Sequence, residues 1–397
     1  MMQGRGGSPR RFALAMAMLG LAASMLALSH PALAQDKIRI GVIGPFSGPF
    51  ANVGVMFKQG IETYQAVNGT KVGGRDVEFL YRDTAGTNPA VAKQLAEELI
   101  VRDKAQILSG FYLTPEAIAA APVVNETKTP AVLFFAGGAG VTKLTHYYIR
   151  TGSTNPTHAA MIADYALKQG WKRVYIAVAD YAPGYDMQAV YKQRVTDAGG
   201  TVLAEDRLPL NTVDYAPFAE RIANAKPDAV LGFVPNGAPA VAWYKALAAQ
   251  NILPKTPVIG ISETDDTELK NFDDSVVGAY SAIFYSSGAP GAANATFKEA
   301  LAKAFPGSIP NFGRETAYDA MHIVYAMIDS QKGKAWDGTA ALEAVQGLSW
   351  EAPRGKVRIN PNEGEMQGPI YVRRIEKVNG ELKNVIVDVF PDVVPLR

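Results

Sequence analysis

The chain of 397 residues predicts an α/β fold built as two doubly wound parallel-sheet lobes behind an N-terminal export segment. Three observations point there. Short β-rich runs alternate with helical runs through most of the chain, which implies mostly parallel sheets covered on both faces. The alternating series occurs twice, on either side of a polar segment at 151–156. With 48% hydrophobic residues, the chain can fill two cores.

Residues 1–34 are set apart because they have the layout of a secretory signal peptide. Arg5, Arg10 and Arg11 form a positive start, residues 12–28 are an apolar run, and Ala32-Leu33-Ala34 is a small-residue cleavage pattern. The run is shorter than the ~20 apolar residues that a membrane span needs. Arg10-Arg11-Phe12 leaves both the general secretory and the twin-arginine routes open. Cleavage after Ala34 makes Gln35 the first mature residue and removes three of the 39 basic residues, leaving 36 against 38 acids. A near-neutral chain without a basic stripe argues against nucleic acid as a partner. No second long apolar segment follows. Cysteine is absent, which excludes disulfides, thiolate metal sites, a cysteine nucleophile and a lipid-anchoring cysteine.

The first series reads as a strand at 37–43, a helix at 53–67, a strand at 77–82, a helix at 89–101, a strand at 106–109, a helix at 115–126 and a strand at 131–135. Val91, Leu95 and Leu99 recur every four residues and so share one helical face. The second series runs through a helix at 158–169, a strand at 173–179, a helix at 185–198, a strand at 201–206, a helix at 218–224, a strand at 229–233, a helix at 239–250 and a strand at 258–261. Helices at 293–305, 315–330 and 338–345 follow, then strands at 355–359, 370–376 and 381–390, with Val378-Asn379-Gly380 as a hairpin turn. A chain that builds two lobes and then returns must cross between them more than once. Hinges are expected near 151–156, 286–290 and 360–364. The lobes become 35–153 with 287–359, and 154–286 with 360–397.

In open parallel sheets, ligands bind beyond the carboxyl ends of the strands, where helix N-termini favour anionic groups. The first lobe offers there a loop ending in Phe50, the passage Phe111-Tyr112-Leu113-Thr114, and the small-residue stretch Ala136-Gly137-Gly138. The second lobe offers Tyr181 and Tyr185, then Asn236, then Glu263, with Tyr285 at the second hinge. Aromatics, hydroxyls and bare backbone suit a small ligand with one charged end and an apolar body. Each residue also has a plainer use. Thr114 is a good N-cap with Pro115 as first helical residue, Phe134 and Phe135 alternate as core residues of a strand, and Glu263 suits a solvated helix start.

Catalytic patterns are missing: there is no G-x-S-x-G elbow, phosphate-binding G-x-x-x-x-G-K-[ST], H-E-x-x-H or acidic calcium loop. His146, His158 and His322 neighbour no candidate loop. No enzyme activity, metal or cofactor is therefore expected. An exported hydrolase of small acids and a ligand-sensing module are the competing classes.

The opening Ile40-Gly41-Val42-Ile43-Gly44-Pro45-Phe46-Ser47-Gly48, the passage 110–116, the run 129–145 and Phe284-Tyr285 together resemble the leucine/isoleucine/valine-binding family of type I periplasmic binding proteins. The resemblance covers nearly all of residues 36–390. It implies three crossovers between the lobes, a ligand in the interlobe cleft, hinge closure and the permease subunits of an ABC importer as partners. A periplasmic monomer is expected. In amino-acid-binding members, hydroxyl and backbone groups of the first lobe hold the carboxylate, and an acid of the second holds the ammonium. By position these roles fall to Thr114 with the backbone of 136–140, and to Glu263 or Ser262. The consecutive serines near 113–114 and the threonine near 140 of those members are missing, and aromatics crowd the loops instead. That favours an aromatic carboxylate over a branched-chain amino acid.

Overall fold

The computed structural model describes residue 1, residues 37–210 and residues 214–396. The export segment read from residues 1–34 lies, apart from Met1, outside the described residues.

The first sheet contains β1 (Ile38–Gly44), β2 (Lys71–Val72), β3 (Arg75–Asp83), β4 (Ile107–Gly110), β5 (Ala131–Leu133) and β6 (Tyr148–Arg150), in the order β2-β3-β1-β4-β5-β6. All its pairings are parallel except the β2–β3 hairpin. Strand β1 is buried at every residue but Arg39, as a central strand covered on both faces must be. Helices α1 (Ala51–Asn68), α2 (Pro89–Glu97) and α3 (Thr114–Thr127) supply the crossovers. Helix α2 starts where the Asn88 side chain accepts the Val91 N–H at 3.3 Å and Pro89 takes the first helical position.

The second sheet has β7 (Arg173–Ala179), β8 (Thr201–Leu208), β9 (Ala229–Phe233), β10 (Val258–Gly260) and β11 (Tyr280–Ile283), ordered β8-β7-β9-β10-β11 with parallel pairing. Its covering helices are α4 (Asn155–Lys168), α5 (Ala182–Asp197), α6 (Ala216–Ala225) and α7 (Ala238–Ala249). Alternation along β7 divides two apolar layers. Val174, Ile176 and Val178 face a core with Tyr191 and Phe284, whereas Tyr175 and Ala177 face Trp243, Tyr215 and Leu247.

The chain then returns through α8 (Ala292–Ala304), α9 (Phe312–Ser330), α10 (Gly338–Glu343), β12 (Ser349–Ala352), β13 (Gly355–Ile359), β14 (Met366–Val378) and β15 (Glu381–Val393). Helix α9 fills the first core with Met321, Val324 and Met327. Strand β14 joins the second sheet antiparallel to β11 and pairs with β15. The turn between them is formed by Asn379 and Gly380, both at positive φ (53° and 86°), as a two-residue hairpin requires.

Three crossovers link the two lobes: 150–155, 283–292 and 359–366. The third is a strand ladder, because β13 pairs β14 through Arg358 and Gln367 and through Ile359 and Met366. Phe297 of α8 touches both Tyr285 and Tyr318, so this helix packs between the cores. Four short strands, β2, β6, β11 and β12, were not expected from the sequence. Helix α3 begins at Thr114 itself with Leu113 as N-cap and no side-chain cap, so the expected capping role of Thr114 is corrected.

Candidate functional site

Both sheets reverse winding direction at one place, between β1 and β4 in the first and between β7 and β9 in the second. Adjacent loops diverge at such switch points and leave a crevice. In the first lobe the crevice is bounded by the loops after β1 and β4, which carry Phe50, Phe111, Tyr112 and Thr114; in the second, by those after β7 and β9, which carry Tyr181, Tyr185 and Asn236.

Within the first lobe the loops are knitted together. Phe134 N–H donates to the Gly110 carbonyl at 2.7 Å, and Ala136 N–H donates to the Tyr112 carbonyl at 3.0 Å. Gly138 N–H donates to Thr114 Oγ1 at 2.9 Å. A hydroxyl that accepts from a backbone N–H keeps its own hydrogen to donate, so Thr114 presents a donor at the start of a helix. A β-carbon on Gly138 would lie 2.5 Å from Thr114 Cγ2, so only glycine permits this approach. Gly110 and Phe111 take positive φ (103° and 59°) to turn the chain out of β4.

Tyr112 is the aromatic centre of this lobe. Its ring lies 5.6 Å from Phe50, 6.4 Å from Phe57 and 5.8 Å from Phe135. Burial, with the Glu268 carboxylate of the second lobe in reach, pushes its phenol up to about 12. From the second lobe, Tyr181 stacks on Phe233 at 5.9 Å with 17° between planes. Its phenol is raised by burial and by the nearby Tyr112 and Glu263.

The remaining candidates each have partners of their own. The Phe111 ring is fully buried in the first core beside Tyr148. Tyr185 is 39% exposed, donates its hydroxyl to Asp180 at 2.8 Å and carries Arg207 over its ring. Tyr285 is 1% exposed and donates to Asn294 Oδ1 at 3.0 Å. Asn236 is exposed and its Oδ1 accepts from Ser262 Oγ at 3.3 Å.

Glu263 is not a solvated helix-start acid: it is 2% exposed, and its oxygens accept the N–H groups of Val234 at 3.1 Å and Ile261 at 2.5 Å. Burial raises its carboxyl to about 7 against these hydrogen bonds. Its carboxylate closes the β9 and β10 loops onto each other.

Sequence reasoning missed four contributors. Phe135, read as a core residue, is only partly buried and reaches across the crossovers to Phe284 at 6.4 Å and Phe312 at 5.7 Å. Asn155, at the first crossover, brings Oδ1 to 3.0 Å from where a Gly137 β-carbon would sit. Arg150 and Glu365, both fully buried, form an ion pair behind the 136–140 loop.

A periplasmic binding protein family model matches residues 37–381. The chain is a member of the periplasmic binding protein family. This family is one of solute-binding proteins, and membership implies an extracytoplasmic location. Among the described residues no helix is long and apolar enough to cross a membrane. The chain is similar to Leu/Ile/Val-binding protein homolog 6 of Brucella melitensis, at 36% identity over 90% of this chain and 92% of the relative. A solute-binding protein of a Rhodopseudomonas palustris ABC transporter, solved with 4-hydroxybenzoate, has a TM-score of 0.82 and 36% identity, covering 90% of this chain and 98% of that one. A second from R. palustris BisB5, solved with 3,4-dihydroxybenzoic acid, gives the same values. An ABC transporter substrate-binding protein from Sphaerobacter thermophilus has a TM-score of 0.86 at 26% identity, covering 91% and 100% of the two chains.

Proposed function

We propose that this chain is the extracytoplasmic solute-binding component of an ABC importer and that it captures an aromatic carboxylate of the hydroxybenzoate type between its lobes. The observation that carries the reading is the combination of a donor set in the first lobe, Thr114 with the backbone of 136–140, and aromatic rings from both lobes, Tyr112 packed with Phe50 and Phe135 and Tyr181 stacked on Phe233. A carboxylate lies against the donors at the start of α3, while the ring lies between aromatic walls. Glu263 spends its oxygens on backbone N–H groups, which leaves it unsuited to hold the ammonium of an amino acid. The aromatic acids bound by the two relatives at 36% identity support the same class.

In this reading, the lobes are 35–153 with 287–359 and 154–286 with 360–397, residues 1–34 direct export, and the closed monomer docks on permease subunits. A thermal-shift screen of purified protein against 4-hydroxybenzoate, 3,4-dihydroxybenzoate, benzoate and leucine tests it. Ligand at 100 times its dissociation constant adds about 2.7 kcal/mol, which raises Tm by several degrees for a protein of this size. Stabilisation by the aromatic acids with unchanged ligand recovered is expected; stabilisation by leucine alone, or ligand turnover, contradicts the proposal.

A further inference from the structure

The loop that meets the carboxylate is held from behind by a buried charge pair that joins it to the hinge. Arg150 ends β6 at the first crossover, and Glu365 lies in the third, 215 residues away. Arg150 Nε donates to Glu365 Oε2 at 2.9 Å and Nη2 to Oε1 at 2.5 Å. The same guanidinium turns Nη1 to the carbonyls of Ala136 at 2.6 Å and Gly138 at 2.8 Å. Thr142 Oγ1 donates to Glu365 Oε1 at 2.7 Å, and Arg150 N–H donates to the Gly364 carbonyl at 2.8 Å.

The direction of these carbonyls decides what the loop offers on its other side. In a trans peptide the C=O of one residue and the N–H of the next point to opposite sides. Turning the Ala136 and Gly138 carbonyls onto Arg150 therefore aims the N–H groups of Gly137 and Ala139 away from it. Neither N–H has a partner among the described residues. Two peptide dipoles are thus aligned alongside Thr114, and the pair that aligns them is itself neutral overall.

We propose that Arg150, fixed by Glu365, is a positioning residue for carboxylate recognition: it aligns the Gly137 and Ala139 N–H groups for the ligand and ties that donor set to the third crossover. This rests on the proposed binding of a carboxylate at the loop. It assigns to a pair outside ligand contact a share of the selectivity for the charged end of the ligand.

The test compares 4-hydroxybenzoate with its neutral analogue 4-hydroxybenzamide by isothermal titration, in wild type, Glu365→Gln and the milder Thr142→Val, with Tm of the ligand-free proteins measured alongside. Losing alignment of charge-assisted hydrogen bonds should weaken 4-hydroxybenzoate about tenfold in Glu365→Gln and a few-fold in Thr142→Val. The benzamide should change little, so the carboxylate-to-amide affinity ratio falls whatever happens to Tm. An unchanged ratio in both variants, with wild type binding 4-hydroxybenzoate, overturns the positioning role alone. A wild type that binds neither this nor any other carboxylate overturns the ligand reading and this inference with it.

Discussion

Arg354 stacks its guanidinium on the ring of Phe284, 4.3 Å from the ring centre, and so joins the second crossover to the buried acids of α9. Its Nε and Nη2 donate to Glu315 at 2.8 and 2.5 Å, Nε also lies 3.0 Å from Asp319, and Nη1 donates to the Thr151 carbonyl at 2.9 Å. Tyr371 of β14 donates its hydroxyl to the Arg354 carbonyl at 2.6 Å. One side chain thus contacts both lobes and two crossovers. Removing it leaves two acids buried without their cation, so Arg354→Ala should cost about 3–5 kcal/mol in urea unfolding. A loss below about 1 kcal/mol would show that the hub does not hold the fold.

Two acids sharing one arginine cannot both remain charged without cost. Burial and the neighbouring Glu315 hold Asp319 well above the usual carboxylate range, against the pull of Arg354. A carboxyl whose folded pKa is raised favours folding while it is protonated, and that contribution is lost as pH rises above the unfolded value near 4. Asp319→Asn should therefore gain stability relative to wild type as pH rises from 4 to 8, measured by Tm across pH. A constant difference would place the shared proton elsewhere.

His158 acts in the opposite direction. Its ring is buried beside Phe284, and burial, with Arg354 nearby, lowers its pKa to about 4. The folded state thus prefers neutral histidine, a contribution present above pH 6.5 and lost as pH falls from 6.5 toward 4. His158→Phe should remove that slope, which is worth on the order of 3 kcal/mol across the interval. Parallel stability–pH curves for variant and wild type would contradict it.

Glu263 separates a loop-holding acid from a ligand contact. Glu263→Gln turns an amide N–H toward a backbone N–H and should lower unfolding free energy by about 1–3 kcal/mol. A fully stable variant with altered ligand preference would return Glu263 to the binding site.

The tyrosines divide in the same way. Tyr112→Ala removes the ring packed with Phe50 and Phe135, Tyr181→Ala the ring stacked on Phe233, and each should weaken an aromatic acid by about 1 kcal/mol or more. Tyr185→Ala removes a ring engaged with Asp180 and Arg207 and should leave titration curves unchanged. Loss of affinity on Tyr185→Ala would extend the site toward the cleft rim.

How legible these features were depended on how local their causes are. The alternation of strands and helices, the start of α2 at Pro89 and the hairpin turn at Asn379 and Gly380 are written in neighbouring residues and were readable as such, although Val378 proved to belong to β14. Strands β6 and β11 were not, because three or four residues give too little periodicity to distinguish strand from loop. Thr114 looks the same in sequence whether its hydroxyl caps its own helix or accepts from Gly138, 24 residues on. Phe134 and Phe135 differ only in which face of the strand each takes; one is fully buried and the other lies at the crossovers. Arg150 and Glu365 find each other only when the third crossover returns, so no spacing rule could pair them.

Isothermal titration of the purified protein with 4-hydroxybenzoate and, separately, with leucine decides whether the cleft takes an aromatic acid. Saturable one-to-one binding of 4-hydroxybenzoate, weakened by Tyr112→Ala and by Thr114→Val, is expected, with no heat of binding from leucine. One-to-one binding of leucine with 4-hydroxybenzoate silent would contradict it.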